Sequence, residues 1–271
     1  VHINFLSKKS FRIKMKLILF SGSHPRHLFV NQRVLDFFEE ILVIVMKREE
    51  LIPSPPKDLF GLDRDLFIKH FANRDKVEKK IYGNLKPKEV FSDHKTIFIS
   101  PEDLNTIQIA REVESFDADF AFIFGVNLIL DPVIDKLPED KINLHLGLSP
   151  WYKGGATLYY PFYHLRPQYC GCTFHKITKE ADAGEIIHQC VPKLEFGDKI
   201  HDVGAKCVLK ARDDLPLIFS HWMKNKHFNG KKQTIMGKNW IGSDFHGTQL
   251  RVIYQLFNDQ IVDRYLEGEL Q

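Results

Sequence analysis

The chain has 271 residues, a formal net charge of +3 at pH 7 and a 44% share of hydrophobic residues. This length and apolar content allow one medium domain with an appendage, or two small domains. The near-neutral charge disfavours a nucleic-acid partner, because proteins that grip phosphate backbones usually carry a concentrated basic stripe. No apolar run approaches the roughly 20 residues that cross a bilayer, so we expect no membrane segment.

The cysteines and histidines show no metal or disulfide pattern. The four cysteines lie at positions 170, 172, 190 and 207, which is neither a zinc spacing nor a disulfide framework. The 13 histidines are scattered and lack a spacing such as His-Glu-x-x-His. We therefore expect a cytoplasmic protein with reduced thiols and no bound metal.

Residues 1–14 precede the first clear strand pattern and are rich in lysine and arginine. Their apolar stretch is too short for a secretory signal. We interpret residues 1–14 as an N-terminal extension without fixed structure and take Met15 as the functional start.

The following half of the chain alternates strand and helix patterns. In chain order the patterns predict a strand over 16–21, a helix over 28–40, a buried strand over 41–46, an amphipathic helix over 62–81 and a strand over 96–99. Ser100 and Pro101 are typical of a helix start. That helix turns apolar residues at 107, 109, 110, 113 and 116 toward the sheet, before a buried strand over 120–124.

The second half continues the alternation. A helical turn after Asp131-Pro132 leads to a strand over 141–146, and strands over 172–177 and 185–191 precede a long helix over 199–222. Repeated βα units predict an α/β fold with a mostly parallel, Rossmann-like sheet over residues 15–228.

Residues 229–271 form a short C-terminal appendage in this interpretation, since turn signals begin at 229. We interpret its apolar stretch over 250–257 as part of a small hairpin-and-helix cap. Docking on the core and a partner surface are the alternatives, and a homodimer stays open.

A pair of polar residues marks the strand over 141–146. Apolar side chains alternate along it with polar ones, and the period of two places Asn143 and His145 on one face at the carboxyl end of the strand. Open α/β sheets bind ligands at such ends. Acyl transfer to an amine needs donors for the oxyanion and a group that moves a proton, and an amide and an imidazole supply both.

Asp182 is the carboxylate that would orient this imidazole and raise its proton affinity. A solvated strand face and an ordinary Asp-Ala-Gly turn are the alternative interpretation of these three residues.

The run INLHLGLSPWYKGGATLYYPF, followed by GCTFHKITKEADAGEIIHQ, resembles the folate-dependent formyltransferases, with their pattern N-x-H-x-S-x-x-P-x-Y-x-G and then D-x-G-x-I. The family includes enzymes that formylate glycinamide ribonucleotide, methionyl-tRNA and sugar nucleotides. The resemblance implies a Rossmann-like formyltransferase fold, Asn143, His145 and Asp182 as the catalytic residues, and N10-formyltetrahydrofolate as the formyl donor.

The resemblance also implies a folate surface. The strand over 120–124 and its following loop resemble the segment that cradles the pterin ring, although a buried strand ending at a glycine turn has the same pattern. The implied cofactor residues are Gly125, Asn127, Leu128, Ile129, Leu130, Thr178, Lys179, Glu180 and Ala181.

Three departures favour the sugar-modifying branch of the family. Gly147 replaces the usual serine, Trp151 replaces a common arginine, and Thr157 stands where the tRNA enzymes carry proline. The implied acceptor is the primary amine of a nucleotide-linked deoxyamino sugar of polysaccharide biosynthesis. The implied contacts in this loop are Trp151 and Tyr152 stacking on sugar or base, Lys153 on phosphate, and Gly155.

A second group, His24-Pro25-Arg26-His27, follows the first strand. It has no G-x-G-x-x-G fingerprint, which disfavours dinucleotide binding. A helix beginning near His27, with Arg26 and His24 or His27, would complement an anion such as a nucleotide-sugar diphosphate. A solvated turn is the alternative.

Two rival functions remain at this stage. One is formylation of methionyl-tRNA, and the other is a non-catalytic folate-binding module. Neither the amine that is formylated nor the main role of His145, as acid, base or oxyanion donor, follows from the sequence.

Overall fold

The computed structural model describes residues 13–47, 50–235 and 237–270. Its strands are β1 (Ile13–Gly22), β2 (Phe38–Met46), β3 (Lys95–Ile99), β4 (Phe120–Phe124), β5 (Lys141–His145), β6 (Tyr152–Gly154), β7 (Cys172–Lys176), β8 (Ile186–Cys190) and β9 (Lys238–Trp240). Seven of them form one sheet in the order β3-β2-β1-β4-β5-β7-β8, while β6 and β9 pair separately.

The sheet is parallel from β3 to β5 and antiparallel at β7 and β8. Its central strands are apolar on both faces because helices cover both. The four side chains of Leu17–Phe20 are fully buried, for example. The predicted α/β fold with a mostly parallel, Rossmann-like sheet is confirmed.

The helices are α1 (Pro25–Val34), α2 (Gly61–Tyr82), α3 (Pro87–Val90), α4 (Ile107–Phe116), α5 (Tyr160–Tyr163), α6 (Ile200–Asn225) and α7 (Ile261–Leu266). Side chains at alternating strand positions belong to two hydrophobic core clusters, one on each face of the sheet. On one face, Trp222 of α6 packs on Phe120 with ring centroids 4.6 Å apart. On the other, Ile109 and Val113 of α4 are buried as predicted.

The helix predicted over 28–40 has different ends. It begins at Pro25 and ends at Val34, and the chain has already entered β2 at Phe38. Phe38 is fully buried and stacks on Phe120, with centroids 5.9 Å apart. Packing across the sheet therefore outweighs the helical pattern of the sequence around it.

The helix start predicted at Ser100 is confirmed for a single turn, with Ser100 as its N-cap and Pro101 at its first position, but that turn does not continue into α4. Residues Pro101–Asp103 form one 3₁₀ turn, and α4 begins at Ile107 behind Thr106, whose hydroxyl accepts a hydrogen bond from the Ile109 N–H. Ser100 thus caps the 3₁₀ turn, and Thr106 is the N-cap of α4.

The predicted N-terminal extension lies mostly outside the described residues. The exception is its last two residues, Ile13 and Lys14, which belong to β1, so that strand begins before the predicted start at 16. Within the described part of the chain, no helix combines the length and hydrophobicity that a membrane span requires.

The C-terminal residues pack into the main core. Leu250, Ile253 and Val262 are fully buried and join the cluster beneath α6. Strand β9 pairs in parallel with β6, which corrects the predicted hairpin, and the stretch over 250–257 docks on the core. The division into a catalytic domain and an appendage stays a prediction.

We predict that Ile253→Ala lowers the free energy of unfolding by about 2–5 kcal/mol, because it leaves a cavity in a fully buried site. Leu256→Ala is the matched control, since Leu256 is 74% exposed, and it should change stability by less than about 0.5 kcal/mol. Urea unfolding followed by circular dichroism measures both. Equal changes in the free energy of unfolding for the two variants would show that this segment does not dock on the core as described.

Candidate active site

Three polar side chains predicted from the sequence lie together at one end of the sheet. Asn143 and His145 project from β5, and Asp182 lies in the connection from β7 to β8. His145 Nδ1 is 3.2 Å from Asp182 Oδ2, and the imidazole is only 7% exposed. The structure thus brings the imidazole and the carboxylate into direct contact beside the amide.

A fourth member, His175, was not predicted. It lies on β7, directly opposite Asn143 in the antiparallel register. Its Nε2 is 3.1 Å from Asn143 Nδ2 and 3.2 Å from Asp182 Oδ1. Its Nδ1 lies 2.8 Å from the Lys176 carbonyl oxygen, so that nitrogen carries a hydrogen. Nε2 then accepts from Asn143 when the ring is neutral and donates to Asp182 when it is protonated.

Both the side chain and the backbone of Asp182 are held by hydrogen bonds from other segments. The Gly154 N–H donates to Asp182 Oδ2 at 2.8 Å. The Gln233 side-chain amide donates to the carbonyl oxygens of Asp182 and Gly184 at 2.8 and 2.7 Å. Asp182 itself has a left-handed φ of 49°, which aspartate tolerates better than most residues. The C-terminal region thereby fixes the loop that carries the carboxylate.

Burial and charge set the protonation of this group. Burial lowers the pKa of His145, and the Asp182 carboxylate opposes that shift only in part. Burial alone would raise the pKa of Asp182, but His145, His175 and the Gly154 N–H lower it to about 2. Near pH 7 the site therefore holds a carboxylate beside a neutral imidazole.

Each imidazole nitrogen of His145 lies within hydrogen-bond distance of an oxygen atom from another residue. Nδ1 faces Asp182, and Nε2 lies 2.9 Å from the Tyr152 carbonyl oxygen. A neutral ring has one N–H and satisfies one of these acceptors, whereas a protonated ring satisfies both. The two oxygens thus offset part of the cost that burial imposes on a protonated ring.

A cavity of about 600 Å³ opens beside these residues. Most of the predicted cofactor residues line it, together with Ile123 and Ile177: Gly125, Asn127, Leu128, Ile129, Thr178, Glu180 and Ala181. The predicted substrate residues His24, Arg26 and Gly155 line it as well.

Five predicted contacts are not part of the cavity lining: Leu130, Trp151, Tyr152, Lys153 and Lys179. Lys179 instead pairs with Asp131 at 2.8 Å, and the Trp151 ring packs on Tyr169 with centroids 5.8 Å apart. The Tyr152 side chain is buried, and it is its carbonyl oxygen that contacts His145. A local motif cannot distinguish a residue that faces the ligand from one that shapes the loop.

The run His24-Pro25-Arg26-His27 lies at the start of α1. This helix begins at Pro25 rather than near His27. Arg26 Nε is 3.5 Å from Glu78 of α2, and an Arg26 terminal nitrogen is 3.4 Å from His24 Nδ1. Sequence reasoning did not predict that a carboxylate from α2 would meet this arginine. The cation is partly neutralised where it borders the cavity.

A second histidine–carboxylate pair lies elsewhere. His188 and Cys190 of β8 and Asp214 of α6 have potential ligand atoms within 4.8 Å of one another. Lys210 also pairs with Asp214. These residues lie outside the cavity lining, and the absence of a bound metal stays a prediction.

A deep cavity with a polar cluster at the carboxyl ends of a parallel sheet is typical of α/β proteins that act on small molecules. A sequence profile of the family described as Formyl transferase matches residues 68–215. That match covers more than half of the chain, which therefore belongs to the formyl transferase family.

A curated relative agrees with this assignment. A methionyl-tRNA formyltransferase of Streptococcus uberis is 27% identical over 126 residues, which are 46% of this chain and 40% of that protein. The chain thus spans less than half the length of this curated relative.

Two solved structures share the fold. A 4-N formyltransferase from Francisella tularensis superposes with a TM-score of 0.56 and 16% identity, covering 85% of this chain and 78% of that one. An N-formyltransferase from Helicobacter canadensis, in complex with folinic acid and dTDP-3-aminofucose, superposes with a TM-score of 0.52 and 18% identity. This match covers 86% of this chain and 73% of that one.

We predict that the pKa of His145 lies below 6.5 and falls further in Asp182→Asn, because the variant removes the negative charge that favours the imidazolium. Titration of the imidazole by ¹H–¹⁵N NMR measures it. Asp214→Asn, which changes the second histidine–carboxylate pair, should leave it unchanged. A pKa that rises in Asp182→Asn would contradict the described contact.

Proposed function

We propose that this protein transfers the formyl group of N10-formyltetrahydrofolate to the primary amine of a nucleotide-linked deoxyamino sugar. The observation that carries the proposal is the 3.2 Å contact between His145 and Asp182, beside Asn143 and within the cavity. It supports the proposal because amine formylation needs an oxyanion donor and a buried group that moves a proton.

The folate would lie along the wall formed by residues 123–129 and 177–181. This wall combines buried apolar side chains, such as Ile123 and Ile129, with the turn at Gly125. Gly125 has a φ of 84°, and a Cβ there would come within 2.5 Å of the His27 ring, so this close approach requires glycine. A flat ring with hydrogen-bonding edges fits such a surface, and the cavity volume lies in the usual range for small-molecule sites.

The bound folate supplies an electrophilic formyl carbon on a nitrogen that leaves. The side-chain amide of Asn143 would donate to the formyl oxygen as it gains negative charge. Neutral His145 would take the proton that the attacking amine loses, and Asp182 would stabilise the resulting imidazolium. The same proton would then go to the departing folate nitrogen.

In this mechanism His175 is a positioning residue. Its neutral ring accepts from the Asn143 amide at 3.1 Å, and the same nitrogen lies 3.2 Å from Asp182 Oδ1, so His175 orients the oxyanion donor beside the proton-moving pair. The lowered pKa of His145, caused chiefly by burial, keeps the ring neutral at the start of the reaction, and the neutral ring is the form that can accept a proton.

Support for a sugar acceptor comes from the residues of the loop, with Thr157 in place of the proline of the tRNA enzymes, and from the Helicobacter canadensis relative with its bound aminosugar nucleotide. A place in polysaccharide biosynthesis and a cytoplasmic location stay predictions. Methionyl-tRNA is the second candidate acceptor, favoured by the identity to the Streptococcus uberis enzyme. Tight, salt-sensitive tRNA binding in a gel-shift assay would favour it.

We predict that Asn143→Ala, His145→Ala and Asp182→Ala each lower formyl transfer about 100-fold or more, because each removes a donor or proton-moving group from the reaction. The assay uses N10-formyltetrahydrofolate with a panel of nucleotide-linked aminosugars that includes dTDP-3-aminofucose. Circular dichroism should show that the variants remain folded.

His188→Ala is the matched control, because His188 forms a 2.8 Å pair with Asp214 outside the cavity. It should keep wild-type turnover. Near-wild-type rates in His145→Ala or Asp182→Ala would contradict the proposed mechanism. Folate binding without transfer to any amine would favour the non-catalytic module instead.

A further inference from the structure

The cavity continues beyond the Asn143 cluster into a part that the mechanism leaves unused. We call it the α2 arm and define it by His70 and Arg74 of α2, Tyr159, His201 of α6 and Phe245 from the C-terminal region, all of which line the cavity. No role is predicted from the sequence for any of these residues. Helices α2 and α6 and the C-terminal region together supply most of the arm.

Two polar atoms in the arm have no protein partner. The Nε2 of His201 and the hydroxyl of Tyr159 are buried, and neither forms a hydrogen bond with any described residue. Tyr159 as a whole is only 6% exposed to solvent. Buried polar atoms without partners are costly, and both of these belong to residues that line the cavity, where a bound ligand would supply the missing partners.

Neighbouring rings hold both groups in place. His201 packs on His70 with ring centroids 4.4 Å apart, and Tyr159 meets the edge of Phe245 with centroids 5.0 Å apart. His70 is itself fixed, since its Nδ1 lies 2.9 Å from the Tyr254 hydroxyl. The two unpaired atoms thus belong to a rigid frame.

The arm offers mainly neutral groups. Burial, and then the charge of Arg74, lower the pKa of His201 to about 3, so its ring is uncharged near pH 7. Burial also lowers the pKa of His70 strongly and raises that of Tyr159. Arg74 donates to the Leu51 carbonyl oxygen at 2.6 Å and lies over the Phe71 ring.

We propose that the α2 arm holds the neutral, hydroxyl-bearing ring of the acceptor, with His201 Nε2 and the Tyr159 hydroxyl as its hydrogen-bond partners. The proposal rests on the proposed function and names the part of the acceptor that this end of the cavity selects. Tyr159 and His201 are specificity-determining residues in this account.

A sugar ring matches the chemistry of the arm better than a phosphate does. Hydroxyl groups both donate and accept, so they pair with a phenol and with a neutral imidazole. Their C–H faces pack on rings such as Phe71 and Phe245. A phosphate would need cations directed at it, whereas Arg26 on the neighbouring wall is 3.5 Å from Glu78. Arg74 donates to the Leu51 carbonyl oxygen and lies over the Phe71 ring.

The test compares Tyr159→Phe and His201→Phe, which keep the rings and remove the polar atoms. Each should raise the KM for dTDP-3-aminofucose, or for the nucleotide-linked aminosugar that the wild type formylates fastest, about tenfold. The kcat should change less than about twofold, and the KM for N10-formyltetrahydrofolate should not change. Inhibition by dTDP alone, which lacks the sugar, should also be unaltered.

Tyr160→Phe is the matched control. The Tyr160 hydroxyl is also buried without a partner among the described residues, but Tyr160 packs on Trp240 and does not line the cavity. It should leave the acceptor KM at the wild-type value.

The outcomes separate this inference from the proposed function. If the wild type formylates an aminosugar but both variants keep its KM for the acceptor, the role of the arm is overturned and the proposed function is not. An equal loss of affinity for dTDP alone would also overturn the role of the arm, since the contacts would then be to the nucleotide. A wild type that formylates only methionyl-tRNA, or no amine at all, would overturn the proposed function and the arm with it.

Discussion

The structure depends on one buried carboxylate that stays charged. Asp182 receives its partners from three separate segments: His145 of β5, His175 of β7 and the N–H of Gly154 at the end of β6. A buried charged group that loses a hydrogen-bond partner typically costs about 1–3 kcal/mol or more. The placement of each of these segments is therefore coupled to the others through a single side chain.

The reversal of strand direction at β7 makes this convergence possible. Parallel strands end at one edge of the sheet, which places β5 and the loop after β4 side by side. Strand β7 runs the other way, so His175 lies opposite Asn143. The β7–β8 connection leaves beside the start of β5, where the Ile177 N–H donates to the Lys141 carbonyl oxygen, and Asp182 in this connection then reaches His145. Gln233 then holds that connection from the C-terminal region, whose apolar residues belong to the same core as α6.

The sequence predicts the parts of the site that depend on local periodicity. Asn143 and His145 share a face because strand side chains repeat every two residues, and the parallel sheet follows from repeated βα units. His175 could not be assigned, because its partner depends on an antiparallel register that no local pattern encodes. The same holds for Glu78 beside Arg26, and for Tyr159 and His201, which line one cavity only when α2, α6 and the tail pack together.

The central claim is that a formyl group changes nitrogen partners in this cavity. The most direct measurement is mass spectrometry of a panel of nucleotide-linked aminosugars incubated with the purified protein and N10-formyltetrahydrofolate. The account predicts that one aminosugar gains a single formyl group on its amine while an equal amount of tetrahydrofolate is released. Binding of the folate with no formylated amine in the panel would contradict it.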